Sequence, residues 1–418
     1  MLEPQTDDGW KAKLAAAARF EALGWPSTRL ERWRYFSTKA LHDLDLTTAP
    51  ETNNVPLPPL PSPRIVFIDG RFAPHLLALE GCEDVLVRAL SDYDDATRLA
   101  LLARLTPGEG DGALEHANLA FLTDGLHLKV KKSTRAPLIH LVHLTTGEGV
   151  VHHRTILELE PFAELPLVVH HLGLARPSAD GEARYLQNLV TECHLGEGSA
   201  LLYGKHVAEG MAGNHIDSTW IRQAKTSRFS SFSLSLTGMR ARTAITVDLA
   251  GEGAECQVDG LYLGHGQSVL DHMTDVRHQV PHTTSAETWA GVLDDQSTGT
   301  FQGLVKIASG AIKSQTRQLT RTLLLSEKAQ ANAKPELHID CDDVAATHGA
   351  SIGQLDPLMR FYLESRGLTP AESRRFLIGA FVKNVLGLAP PALAPTLMDA
   401  AAPFIGRDLE DRLEEEGS

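Results

Sequence analysis

From about residue 126 to 341 the chain runs in short segments where apolar and polar residues alternate, the period-two pattern of strands buried on one face. Gly-x-Gly turns punctuate them at Leu195-Gly-Glu-Gly-Ser-Ala200, Leu249-Ala-Gly-Glu-Gly-Ala254 and Leu263-Gly-His-Gly-Gln-Ser268. Similar strand openings follow these turns, and another begins at Ser227. The openings at Ser199, Ser227 and Ala254 lie 28 and 27 residues apart, and Gln267 follows Ala254 by 13. A unit near thirteen residues, sometimes doubled, suits a β-solenoid, in which stacked coils repeat one supersecondary unit. A jelly roll or other sandwich is the alternative.

The pattern changes at both ends. Residues 7–24 predict an amphipathic helix carrying Trp10, Leu14, Ala17, Ala18 and Phe20. After Gly24-Trp-Pro26 a second short helical or extended piece runs to Tyr35. Six prolines between Ala49 and Pro63 preclude a helix and predict an extended linker. A strand Arg64–Ile68, a helix near 91–104 and a break at 106–112 follow. At the other end, Thr369-Pro370-Ala-Glu372 is a capping box. It opens a helix striped by Phe376, Leu377, Ala380, Phe381, Asn384, Val385 and Leu388, which Ala389-Pro-Pro391 ends. A further helix is expected near Pro395. The resulting division is 1–125, helical and α/β; 126–356, the β core; and 357–418, helical.

A chain of 418 residues can bury one large core with smaller flanking units, and its 43% hydrophobic and 22% charged residues are ordinary for a globular protein. A net charge of -14 without a long Lys/Arg block speaks against a nucleic-acid groove, whose affinity comes from neutralising phosphates. The basic residues Lys11, Lys13, Arg19, Arg29, Arg32 and Arg34 read as a solvated helical face, and the acidic tail 407–416 as a frayed end or a partner contact. Neither a signal peptide nor an apolar run of about eighteen residues is evident, so a cytoplasmic protein outside the membrane is expected. The four cysteines, Cys82, Cys193, Cys256 and Cys341, are far apart and suggest neither a disulfide framework nor a cysteine zinc site.

Several chemistries can be weighed. The Gly-x-Gly turns lack the third glycine of a dinucleotide fingerprint and no phosphate loop is present, so no bound nucleotide is expected. Gly349-Ala-Ser351-Ile-Gly353 matches a nucleophile elbow, but no histidine follows His348 to complete a triad in the hydrolase order. Nineteen histidines invite a metal reading. In the densest cluster, Asp271 to His282, strand alternation points His272 and Asp275 opposite ways, so satisfied or surface histidines are expected there. Alternation also places Glu336, His338, Asp340 and Asp342 on one face of an edge strand. That face is either simply hydrated or a borderline metal site.

The run from Arg321 to Gly367 includes Lys334-Pro-Glu-Leu, Asp342-Asp343-Val, Thr347-His348-Gly-Ala, Gly353-Gln-Leu-Asp356 and Phe361-Tyr362-Leu-Glu-Ser-Arg366. It resembles the C-terminal signature of the SufB/SufD family of iron–sulfur cluster assembly scaffolds. His278-Gln-Val-Pro281, Val292 to Gly303 and Gly24 to Tyr35 resemble other parts of that family. The fit is looser between residues 40 and 190. Few cysteines, a shorter chain and Gly349 after His348 resemble the SufD branch. The resemblance implies a right-handed parallel β-helix between α/β and helical ends, without catalytic residues of its own. It implies pairing with a SufB-like paralogue, or with itself when alone, and docking of a SufC-like ATPase on the C-terminal helices. His348 is the implied ligand for iron or a nascent iron–sulfur cluster shared with the partner. The cysteine often found two residues earlier in the family is Ala346 here. A β-helical carbohydrate-active enzyme, with paired carboxylates in a groove, is the alternative from a different class.

Overall fold

A computed structural model describes residues 8–48, 50, 56–102, 112–175, 185–210 and 213–407. Alternation has the consequence expected of it. Strands of about ten residues stack in parallel into a solenoid of about eight turns, mainly β, with few helices flanking it. Among the described residues one sheet has ten strands and the other nine, and from Asp124–Val130 onward successive strands alternate between them. The register Arg228–Glu255–Thr284–Gln315–Ala345 shows that a coil takes 27 to 31 residues. The sequence openings at Ser199, Ser227 and Ala254 therefore start successive strands of one sheet. Gln267, half a coil on, starts a strand of the other. Parallel pairing along the whole stack excludes the antiparallel sandwich.

The Gly-x-Gly turns use their two glycines differently. The second of each pair, Gly198, Gly253 and Gly266, has φ of +64°, +71° and +60°, which a Cβ disfavours. The first sits where the neighbouring coil comes close: a Cβ on Gly251 would lie 2.0 Å from the Lys225 amide nitrogen. One glycine makes the turn and the other admits the next coil.

Both sheets turn one face into a common core, where Leu126, Leu157, Leu165, Leu201, Phe229, Val247 and Trp289 are buried. The outer face of the nine-stranded sheet is covered by the N-terminal segment, through Trp33, Phe36 and Leu41 against Val150, Leu186 and Ile216. The outer face of the ten-stranded sheet is covered by helices Pro370–Leu386 and Ala394–Arg407, through Ile378, Val382, Val385 and Leu397 against Phe232, Leu234, Leu261 and Val292.

Several expectations need adjusting. The first helix spans Asp8–Leu23, yet Leu14 is exposed and Ala16 is buried, because the helix packs on the short helix Ala113–Ala120. The expected stripe on Pro370–Leu386 is met in part, since Val385 is buried and Phe381 packs on the same cluster. Phe376 is exposed, whereas Ile378 and Val382 meet the sheet. The capping box forms as expected. The strand Arg64–Ile68 is present and pairs in parallel with Ile139–Thr145. The helix expected at 91–104 is Asp95–Leu102, and residues 103–111, which hold most of the expected break, lie outside the described residues. In the proline-rich stretch the described residues 56–63 carry no helix or strand, and the acidic tail lies outside the described residues beyond Arg407. Nor are all the N-terminal basic residues solvated: the Arg32 guanidinium lies 3.6 Å from the buried Asp275 carboxylate.

The lumen is not uniformly apolar. Glu287, fully buried on Thr284–Leu293, accepts hydrogen bonds from Thr274 (3.0 Å) and Gln318 (2.7 Å) on one oxygen and none on the other. Burial raises its pKa to about 7, so it folds most favourably as the neutral acid. A folded pKa above the unfolded value of about 4.3 means stability falls as pH rises towards and through 7. Glu287→Gln imitates the protonated acid and removes that dependence. From about pH 5.5 to about pH 8.5, urea unfolding should show the variant gaining about 2 kcal/mol on the wild type; parallel curves would contradict the assignment.

Candidate functional site

The two ends of the solenoid differ. At the N-terminal end, Arg71–Phe72 pairs antiparallel with Arg64–Ile68, and Val85–Ala89 pairs antiparallel with Asp124–Val130. These strands cap the stack. At the C-terminal end the last strands, Gln330–Ile339 and Ala345–Gly353, are the outermost members of their sheets, and the second is largely exposed. The C-terminal helices lie across a sheet face, so they leave this end open among the described residues.

His348 lies in that open rim. It stands in register with Gln318, whose side chain reaches Glu287 in the lumen, so His348 faces the same side. Among the described residues no further coil covers it, and it is exposed. Ala346 shares this face and packs partly on the core, as does Cys341. Because the Ala345 amide donates to Ser314 in the previous coil, alternation turns the amides of Ala346, His348, Ala350 and Ile352 to the open edge.

The structure separates the other candidates from His348. Glu336 and His338 do share a face of an edge strand, but it is the outer one, since Leu337 between them packs on the core. Glu336 is 2.9 Å from Lys334, which also pairs with Glu31 of the N-terminal segment. Asp340 and Asp342 lie past the strand's end at Ile339. The face favours the hydrated reading. Gly349–Gly353 sits within a strand, not on a strand-to-helix turn, so Ser351 has no nucleophile elbow. Next comes the helix Pro357–Glu364, capped by Asp356, whose carboxylate accepts from the Leu358 amide. Its Leu358, Met359, Phe361 and Tyr362 are exposed, as is Phe376 on the following helix.

In the Asp271–His282 cluster, His272 stacks inside on Tyr262, with centroids 4.8 Å apart, and contacts Ser235 at 3.0 Å. Asp275, on the opposite face, meets Arg32 and Arg277. The expected divergence is present, with both residues buried rather than at the surface.

The sequence reading missed a polar seam inside the lumen. His143 stacks on His171 at 5.0 Å, and His171 meets His215 edge-on at 4.7 Å. His215 lies between Glu209 (3.0 Å) and Asp217 (2.9 Å), and Lys205 pairs with Asp217. Burial lowers the pKa of His143 to about 3 and that of His171 well below its usual value. Burial also works against charge on His215, but hydrogen bonds to Asp217 and Glu209 outweigh it and raise its pKa. The histidine pairs 152–153 and 170–171 in alternating strands were a usable signal, since each must turn one ring inward.

Residues 142–381 match the family model described as SUF system FeS cluster assembly, SufBD core domain. The chain belongs to the SufBD family. A SufBD family iron–sulfur cluster assembly protein of Synechocystis is 28% identical over 90% of this chain and 86% of its own length. The iron–sulfur cluster assembly protein SufD of Escherichia coli is 26% identical over 87% and 85%, and that of Bacillus subtilis 27% over 65% and 60%. SufBD membership gives the chain a role in iron–sulfur cluster assembly. Among the described residues no helix is long and apolar enough to cross a membrane.

Proposed function

We propose that this chain is a SufD-type scaffold subunit without turnover of its own. It pairs through its open end with a SufB-like paralogue and presents His348 there to iron or a nascent cluster. The observation carrying this reading is the asymmetry of the stack. An exposed strand edge is a template for another strand, and natural folds cap, charge or pair it. Here one end is capped within the chain, while the other leaves a nine-residue strand whose outward amides include that of His348. An imidazole suits iron and supplies one ligand, so thiolates or other donors come from the partner. The exposed apolar side chains Leu358, Phe361, Tyr362 and Phe376 suit docking of a SufC-like ATPase, whose cycle would act on helices braced against the solenoid. Arg374 provides such a brace, 2.9 Å from Asp294. The SufD branch is supported by the relatives bearing that name and by Gly349 after His348.

Ala350→Pro deletes one outward amide and costs no hydrogen bond within the chain. Co-expressed with SufB-like and SufC-like partners, it should lower recovery of the SufB-like protein at least about tenfold, with the subunit's own Tm within about 2 °C of wild type. Undiminished recovery would exclude pairing through this edge. His348→Ala should leave the complex assembled and reduce the cluster reconstituted on it, read by visible absorption and iron content. Unchanged cluster yield would remove His348 from the site.

A further inference from the structure

The polar seam contains a group of side chains that the role proposed for the open rim does not use. His171 lies on strand Glu164–Gly173, Glu209 in the turn after Ala200–Ala208, and His215 on strand Gly213–Gln223. All three are buried, Glu209 and His215 completely. One donor atom from each lies within 4.8 Å of the others, the one such group of metal-ligand type among the described residues.

We propose that His171, Glu209 and His215 form a resident binding site for one divalent first-row transition ion of the Fe2+ or Zn2+ class, inside the solenoid and separate from the open rim. Two imidazoles and a carboxylate are a donor set common to both ions. Donors about 2.1 Å from an ion lie roughly 3–3.5 Å from one another. His215 Nδ1 and Glu209 Oε1 are already 3.0 Å apart, so His171 has the main adjustment to make.

The surroundings orient each donor. His215 Nε2 faces an Asp217 oxygen at 2.9 Å, the carboxylate–histidine pairing that turns the other ring nitrogen towards a metal. Asp217 is itself held by Lys205. His171 Nδ1 faces Gln187 Oε1 at 3.3 Å, and the Gln187 amide group donates to Thr145, which fixes that oxygen as an acceptor. His171 therefore carries its proton on Nδ1 and leaves Nε2 to the ion. The second oxygen of Glu209 accepts from the Tyr185 hydroxyl at 2.9 Å. With the ion absent, His215 donates to both carboxylates; with it bound, the ion replaces the proton between His215 and Glu209. No cysteine belongs to the group, so the site draws on nitrogen and oxygen alone.

The test uses Co2+, a spectroscopic stand-in for both ions. Untagged full-length protein is refolded with Co2+ and stripped of loose ion by gel filtration. One Co2+ should remain per chain, with visible ligand-field absorption. Glu209→Gln and His171→Ala, with wild-type circular dichroism, should weaken retention at least about 100-fold. His348→Ala should retain the ion fully, so this result does not depend on cluster chemistry at the rim. X-ray absorption on the wild type needs no variant to fold, and should give a first shell of nitrogen and oxygen including two imidazoles. No retained Co2+ in the wild type, equal retention in both ligand variants, loss in His348→Ala, or a sulfur-dominated shell would each overturn the proposal.

Discussion

Backbone hydrogen bonding between parallel coils holds this molecule together, and a parallel stack has two ends. Every interior strand satisfies its amides and carbonyls on the coils before and after it, so each coil depends on its neighbours. The chain meets this constraint at its start by reversing direction, with Arg71–Phe72 and Val85–Ala89 closing the two sheets antiparallel. At the other end no cap is present among the described residues, and the C-terminal helices pack sideways instead. Exposure of His348 and the orientation of its amide both follow from that arrangement, and so does the partner proposed for this edge.

A second constraint comes from the lumen. Placing ionisable groups there is costly unless each is paired, and removing one member of a buried pair typically costs about 3–5 kcal/mol. The seam meets this by continuity: Lys205 holds Asp217, Asp217 holds His215, and His215 reaches Glu209. Elsewhere the lumen uses neutral pairs, such as His278 with Ser285 and Tyr262 with Thr322. Glu287 departs from this economy, with one oxygen unpartnered and its pKa raised by burial.

What the sequence made legible was local. Alternation and the Gly-x-Gly turns are properties of a few adjacent residues, and they marked both the coil and its half-step. The capping box at Thr369 and the strand at Arg64 were readable for the same reason. The phase of the helix after Thr369 was legible only in part, because its buried side is chosen by the sheet: Val385 meets it as expected, whereas Phe376 is exposed. The seam was hidden by stacking. His171 and His215 are distant in sequence, and only the coil register brings them together: His171 pairs with Val207 in one sheet, and His215 with Gln187 in the other. At the rim, His348 was identified by resemblance; what the fold adds is the side it faces and the open edge beside it.

The central claim is that the open end of the stack is where this SufBD subunit receives its partner, by adding strand to strand. Amide hydrogen exchange resolved to single residues across Ala345–Gly353 tests it most directly. In the isolated chain, Ala346, His348, Ala350 and Ile352 should exchange quickly while their neighbours bonded to the previous coil are protected. With a SufB-like partner bound, the same four amides should become protected. Unchanged exchange at these four in a complex that has formed would contradict the account.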